Sequence, residues 1–349
     1  MTRINGDKPH VVRGSGVSAD DHRFAPGEKV ANRYRIVDMI GAGAIGEVYE
    51  AYDEALAEPI ALKTLKPHVA SDGVTVERFR RELLLARRVT HSNVCRVYDL
   101  GRHDLREGVV VTFLTMELLR GVSLADHIKR VGRAMTIDEA LPLVAQMAAG
   151  LDAAHAAGVI HRDFKPGNLV LVPEAAGDSA AVTTAGFRVV TTDFGLARRN
   201  RLDEENLTNT GEALGTPLYM APEQVAAGEQ PITPATDIYA MGIVMYELVT
   251  GQLPFKGNSI TVMALKRIRE APPSPRTVVP DLDARWEAAI LRCLERDPAR
   301  RFQRASQVIE ALTGNSPDGS PLPDDAAETP SGRVRLGALL RRALGKRRE

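Results

Sequence analysis

Apolar positions follow two different rhythms along this chain. Between Tyr34 and Met116 they come in short β-rich runs, at residues 34–40, 48–53, 59–65, 94–100 and 109–116, each bounded by Gly, Pro or charge. That pattern predicts strands. One helix interrupts them, because Val76, Phe79, Leu83 and Ala86 recur at helical spacing with arginines and glutamates between. After Gly121 the rhythm turns helical. Residues 139–157 are rich in Ala and Leu, with Pro142 placed in a first turn where its missing N–H costs little. Residues 237–250 are apolar almost all round, as in a buried helix, and 286–294 and 305–313 are amphipathic. A strand-rich part followed by a helix-rich part predicts an α+β fold of two lobes. Residues 173–187 read as a long polar loop between two short strands.

The ends differ from this middle. Residues 1–33, rich in Gly, Asp and Ser, read as a flexible leader, with ordered structure expected from Tyr34. Residues 313–332 form an acidic linker with four prolines and one large apolar residue, Leu322. Residues 333–349 hold seven bases and one acid. Leu336, Leu339, Leu340, Ala343 and Leu344 share one helical face there, which reads as a contact for anionic membrane, as a solvated tail, or as a juxtamembrane stub whose span is absent from this chain.

Composition narrows the function. The chain has 349 residues and balances 45 basic against 45 acidic side chains, so wholesale coating of nucleic acid is excluded as a role. The neutrality hides an acidic linker and a basic end. Two cysteines, Cys95 and Cys293, are too few for a disulfide framework or a Cys-based zinc site. No apolar stretch suits a signal peptide or a membrane span, which predicts a cytoplasmic protein, with the basic tail the one element suited to rest peripherally on the inner membrane surface.

Five motifs could carry chemistry. Gly41, Gly43 and Gly46 form a G-x-G-x-x-G. A dinucleotide fold needs a helix straight after the glycines, but Glu47 to Tyr52 is β-rich and aromatic. Strand, glycine turn, strand is instead a hairpin that covers nucleotide phosphates. Lys63 ends the apolar run Ile60-Ala61-Leu62; it is either a snorkelling surface lysine or a phosphate ligand with Glu82 available to hold it. The stretch His161-Arg162-Asp163-Phe164-Lys165-Pro166-Gly167-Asn168 supplies an acceptor for a hydroxyl proton (Asp163), a cation for a migrating phosphoryl group (Lys165) and a metal ligand (Asn168). His161 reads as a packed core histidine. Asp193-Phe194-Gly195 offers a carboxylate to Mg²⁺, which needs only one or two protein oxygens. Gly215-Thr216-Pro217 to Ala221-Pro222-Glu223 closes the loop that Asp193 opens.

Taken together, in this order and spacing over residues 34–312, these motifs resemble the bacterial eukaryotic-type (Hanks-type) serine/threonine protein kinases. The resemblance implies a lobe boundary at residues 118/119, and ATP and Mg²⁺ as cofactors. Residues 117–119 would be the adenine hinge, including Glu117 and Leu119, with Met116 as gatekeeper. Ile40, Val48, Ala61 and Val170 would sandwich the adenine. Asp237 would brace the catalytic loop, Glu223 would pair with Arg301, and Thr216 would contact Asp163 and Lys165. Lysine two places after Asp163 marks Ser/Thr rather than Tyr specificity. Thr208 and Thr210 would be autophosphorylated, through self-association in trans, and Arg162 suits a phosphorylated partner. Substrates would be proteins bearing Ser or Thr. The loop tip Ala44-Ile45 departs from the family pattern but removes no required group. Competing classes are an ATP-binding scaffold, disfavoured by intact Lys63, Asp163, Asn168 and Asp193, and a small-molecule phosphotransferase, disfavoured by the segment 215–223.

Overall fold

The computed structural model describes residues 23–42, 46–65, 85–105, 109–174, 186–194, 217–226 and 230–314. Its first part is an antiparallel sheet in the order β1-β2-β3-β4-β6-β5. The strands are β1 (Lys29–Val30), β2 (Tyr34–Ala42), β3 (Glu47–Asp53), β4 (Glu58–Thr64), β5 (Val97–Asp104) and β6 (Val110–Met116).

Register sorts this sheet into two faces, because side chains alternate along a strand. Tyr49 lies opposite Leu62 and Ala51 opposite Ile60, so these four point to one side. There they join Ile36, Val111 and Phe113 in a buried cluster. Val48 lies opposite Lys63, and Ala61 opposite Met116, on the other side.

Two sequence expectations are corrected here. The leader expected over residues 1–33 is not free at its C-terminal end. Phe24 is 1% exposed and Val30 fully buried, both within the cluster of Tyr49 and Phe113. The reason is the apolar sheet face, built from distant strands, which needs a cover; residues 23–33 supply it with their two large apolar side chains. The strand expected at 94–100 begins at Val97 instead and runs to Asp104. Val94 is drawn away to form a parallel bridge with Thr191.

The second part is helical: α1 (Leu124–Val131), α2 (Ile137–Ala156), α3 (Pro222–Val225), α4 (Pro234–Thr250), α5 (Ile260–Arg269), α6 (Ala284–Cys293) and α7 (Ser306–Thr313). A small sheet, β7 (Val122–Ser123), β8 (Leu169–Pro173) and β9 (Phe187–Thr191), lies in the order β7-β8-β9. Helix α2 starts at a capping box in which Thr136 and Glu139 satisfy each other's backbone N–H. It begins two residues before the expected start at 139, so Pro142 lies past the first turn. Burial of Leu143, Val144, Met147 and Leu151 carries the helix across it. Helix α4 is buried nearly all round, as its composition predicts, and ends at Gly251 with φ 68°. Helices α2 and α6 pack against it. Of the helix expected around residues 76–86 only Leu85 and Ala86 are described, and they are helical. Helices α1, α3 and α5 were not anticipated from the pattern. Residues 315–349, with most of the linker and the whole basic tail, lie outside the described residues, as do Gly43, Glu82, Gly195, Thr208, Thr210 and Thr216. Among the described residues no helix is long and apolar enough to cross a membrane.

Candidate active site

The glycine turn leaves β2 and returns as β3, and its last glycine shows why the residue type matters. A Cβ on Gly46 would lie 1.8 Å from the Thr64 carbonyl oxygen. Only glycine lets the turn close that tightly on β4. Beyond it, the Glu47 N–H donates to Thr64 Oγ1 at 3.0 Å. The same face of the sheet carries Val48, Ala61, Lys63 and Met116, with Gly41 paired to Val48 at the end of β2 beside Ile40.

Lys63 is 8% exposed and reaches across to Asp193, Nζ to Oδ1 at 2.6 Å. Its carboxylate partner among the described residues thus comes from the segment after β9. Burial acts to raise the Asp193 pKa, but the neighbouring positive groups together, Lys63 foremost, hold the carboxyl below its ordinary range. Asp193 has φ 57°, left-handed backbone for a non-glycine residue. Phe194 behind it packs into the cluster of Val89, Val94, Ala154 and Val159.

The loop from His161 to Asn168 is wired from below by one carboxylate. Asp237, at the start of α4, accepts the N–H of His161 at 2.7 Å, the N–H of Arg162 at 2.8 Å and a contact from His155 Nε2 at 2.8 Å. Arg162 also sits at φ 64°, so the loop turns sharply where Asp237 grips it. Gln224 of α3 donates to the Arg162 carbonyl at 2.7 Å.

His161 is fully buried between Phe164 and Phe194. Its Nε2 lies 2.9 Å from the Thr192 carbonyl, which only accepts, so Nε2 carries the proton. Its Nδ1 accepts the Asp163 N–H at 3.2 Å. The ring is therefore neutral, in keeping with burial, which pushes its pKa down. It links the backbones of Asp163 and of the residue before Asp193.

Asp163 Oδ2 accepts Lys165 Nζ at 2.8 Å and Asn168 Nδ2 at 3.2 Å. Asn168 Nδ2 also bonds the Asp163 carbonyl at 2.8 Å. With its nitrogen occupied, Asn168 retains its amide oxygen for a hard cation. The Thr192 N–H donates to the Asn168 carbonyl at 2.8 Å, which ties β9 to the loop. One carboxylate and one amide oxygen, rather than a cluster of acids, is the donor set that a magnesium carried on phosphates requires. Among the described residues no group of three or more His, Cys, Asp or Glu could hold a metal alone.

Residues 117–119 run between β6 and β7 as a half-buried connection. The Glu117 carboxylate pairs with Arg188 of β9 at 2.8 Å, and Arg188 also donates to the Ser92 carbonyl. Val170 lies on β8, half-buried, two residues after Asn168. Glu223 and Arg301 meet in a fully buried, bidentate pair at 2.7 and 2.8 Å. Sequence reasoning missed His155, Gln224, Arg188 and the pair Asn93–Gln146, whose side chains bond each other at 2.9 Å and the backbone of β9. The available signal was a glutamine standing alone among the Ala, Leu and Met of α2.

The arrangement brings together two ammoniums, two carboxylates and an amide oxygen: Lys63 on Asp193, and Lys165 and Asn168 on Asp163. Residues 34–312 match the protein kinase domain family. The chain belongs to the protein kinases. The serine/threonine-protein kinase PknA of Mycobacterium tuberculosis is 34% identical over 313 residues, covering 90% of this chain and 68% of that protein. The probable serine/threonine-protein kinase PknB of Corynebacterium glutamicum is 35% identical over 287 residues, 81% of this chain and 42% of the relative. Among solved structures, the kinase domain of Mycobacterium tuberculosis PknI is 28% identical, with a TM-score of 0.63 over 84% of this chain and 100% of that domain. The protein is a Hanks-type serine/threonine kinase with the two-lobed kinase fold, and this domain implies the use of ATP.

Proposed function

We propose that Asp163 accepts the proton of a substrate Ser or Thr hydroxyl while Lys165 neutralises the phosphoryl group in transit. Lys63 holds the phosphates of ATP from the sheet side. Asn168 and Asp193 hold Mg²⁺, which when bound neutralises phosphate charge and orients the γ-phosphoryl group. Ile40, Val48, Ala61 and Val170 would hold the adenine, with Met116 and the backbone of 117–119 beside it. The carrying observation is convergence. Lys63 meets Asp193, 130 positions away, at 2.6 Å, and the loop that pairs Lys165 with Asp163 at 2.8 Å is tied to the residue before Asp193 through His161. Little covalent work is asked of the protein, so fixed positions and fixed charges supply the rate. Thr216 contacts Asp163 and Lys165 in this reading, and phosphorylation of Thr208 and Thr210 orders the loop before it.

The test is Asp163→Asn. Nucleotide binding should persist while phosphotransfer to a generic protein substrate falls by at least about a hundredfold, the scale of a lost general base. Retained autophosphorylation in this variant sinks the assignment. Mass spectrometry of the full chain after incubation with ATP and Mg²⁺ tests Thr208 and Thr210; an unmodified peptide counts against them.

A further inference from the structure

The segment ahead of β2 does more than cover a sheet. Its contacts concentrate on the strand that leaves the glycine turn. The Phe24 ring packs edge-on against Tyr49, centroids 5.6 Å apart, and against His103 at 5.7 Å. The Phe24 N–H donates to Tyr49 Oη at 3.2 Å. Tyr49 in turn donates its O–H to Glu47 Oε2 at 2.6 Å, and the Arg23 N–H reaches the same oxygen at 3.3 Å. Glu47 follows Gly46 directly, and its backbone is pinned on the other side to Thr64, the residue after Lys63. The start of β3 is thus held from two directions, by β4 and by residues 23–24.

The segment itself is anchored independently of that contact. Gly27 and Glu28 exchange backbone hydrogen bonds with Ile36, at 2.9 and 2.8 Å. The Ala31 N–H donates to His103 Nδ1 at 3.0 Å. Arg33 forms a two-pronged pair with Asp53, at 2.8 and 2.6 Å, at the far end of β3 from the glycine turn.

We propose that Phe24 is a positioning residue for the nucleotide: acting through Tyr49 and Glu47, it fixes Gly46 and the start of β3 relative to Lys63. The inference rests on the reading of Gly46 and Lys63 as phosphate-side residues. Residues 23–33 form a strap, and a buried phenol that accepts from its Phe24 N–H and donates to Glu47 transmits position, because both of its hydrogen bonds are directional. Loss of the strap frees the strand to move and weakens ATP binding without altering the groups that perform transfer.

The experiment compares four variants of the full chain, with KM for ATP, kcat and Tm measured for each. Tyr49→Phe keeps the ring and deletes the relay; KM for ATP should rise roughly threefold to tenfold, the scale of one directional hydrogen bond, with kcat within twofold. Phe24→Ala should raise KM at least as much and also lower Tm. Arg33→Ala, which loosens the same segment away from the turn, should lower Tm and leave KM unchanged. An unchanged KM in Tyr49→Phe overturns the proposal, even if Phe24→Ala fails to fold. A KM rise in Arg33→Ala equal to that of Tyr49→Phe also overturns it, since general loosening would then suffice. Lys63→Met separates the underlying reading: if it stays active, the phosphate assignment itself has failed, whereas an inactive Lys63→Met with an unshifted Tyr49→Phe leaves that assignment standing and removes only the strap's role.

Discussion

The helical lobe carries two sets of carboxylates that differ in kind. Asp163 and Asp193 have side chains 20% and 34% exposed, whereas those of Asp237 and Glu223 are 1% and 0% exposed. Asp237 is saturated by two backbone N–H groups and His155. Glu223 is saturated by both arms of Arg301 and by the Thr236 hydroxyl at 2.8 Å. A buried charge is tolerated only when paired and fully hydrogen-bonded, and such a group has nothing left for a ligand. The open pair instead meets flexible lysine ammoniums, which can exchange one anion for another. In the proposed reading, the difference separates groups that set the geometry from groups that act within it.

That distinction is broken most directly by Asp193→Asn. Turnover should fall on the order of a hundredfold or more, because a fixed charge at the phosphates is lost. Tm should move far less than in a variant of the closed set. The measurement is phosphotransfer across a Mg²⁺ titration, with thermal unfolding alongside. Activity within a few-fold of wild type at every Mg²⁺ concentration would move Asp193 out of the acting group, whereas loss that high Mg²⁺ partly restores is what a weakened metal ligand gives.

Arg301→Ala is the counterpart in the closed set. It leaves the Glu223 carboxylate buried without its ion partner and empties the fork that also donates to the carbonyls of Ala235, Glu295 and Arg296. Removing one partner of a buried pair costs about 3–5 kcal/mol. Denaturant unfolding should show it, and at a temperature where the variant is still folded its activity per folded molecule should stay nearer to wild type than that of Asp193→Asn. The reverse ranking would mean that both sets act in transfer.

The two sets were not equally legible in the sequence. Asp163, Asn168 and Asp193 stand in short local runs of marked residue types, whereas Lys63 by itself reads equally as a surface lysine. Asp237, Glu223 and Arg301 carry no such local mark; they came only through the resemblance to a family. The strands and the longer helices followed from period, and α4 was readable from its uniform apolarity, whereas the short helices α1, α3 and α5 gave no such signal. Phe24 was hidden because its burial depends on a sheet face assembled from Tyr49, Ile60, Leu62 and Phe113, none of them near in sequence. His155 and Gln146 were hidden for the same reason: a polar residue on an apolar helix looks solvated until its partner 82 or 43 positions away is in place.

The smallest effect sharpens the contrast from the exposed side. Glu139 combines a structural hydrogen bond with a surface ion pair, and its pKa is held down to about 2, by the Arg133 guanidinium first and the Thr136 N–H second. A carboxylate with a depressed folded-state pKa stabilises the fold above its unfolded value, roughly 4.3, and loses that contribution as pH falls towards the folded value. Glu139→Gln keeps an oxygen for the Thr136 N–H and removes only the charge. Its Tm should lie on the order of a degree below wild type at pH 7, as expected of an exposed ion pair. The gap should stay constant down to about pH 5 and close as pH drops below roughly 4, where the wild-type charge is itself being lost. Thermal unfolding in steps of pH reads this directly. A gap that persists unchanged at low pH would assign Glu139 to the hydrogen-bonded cap alone, and the Arg133 pair would then contribute nothing to holding the start of α2.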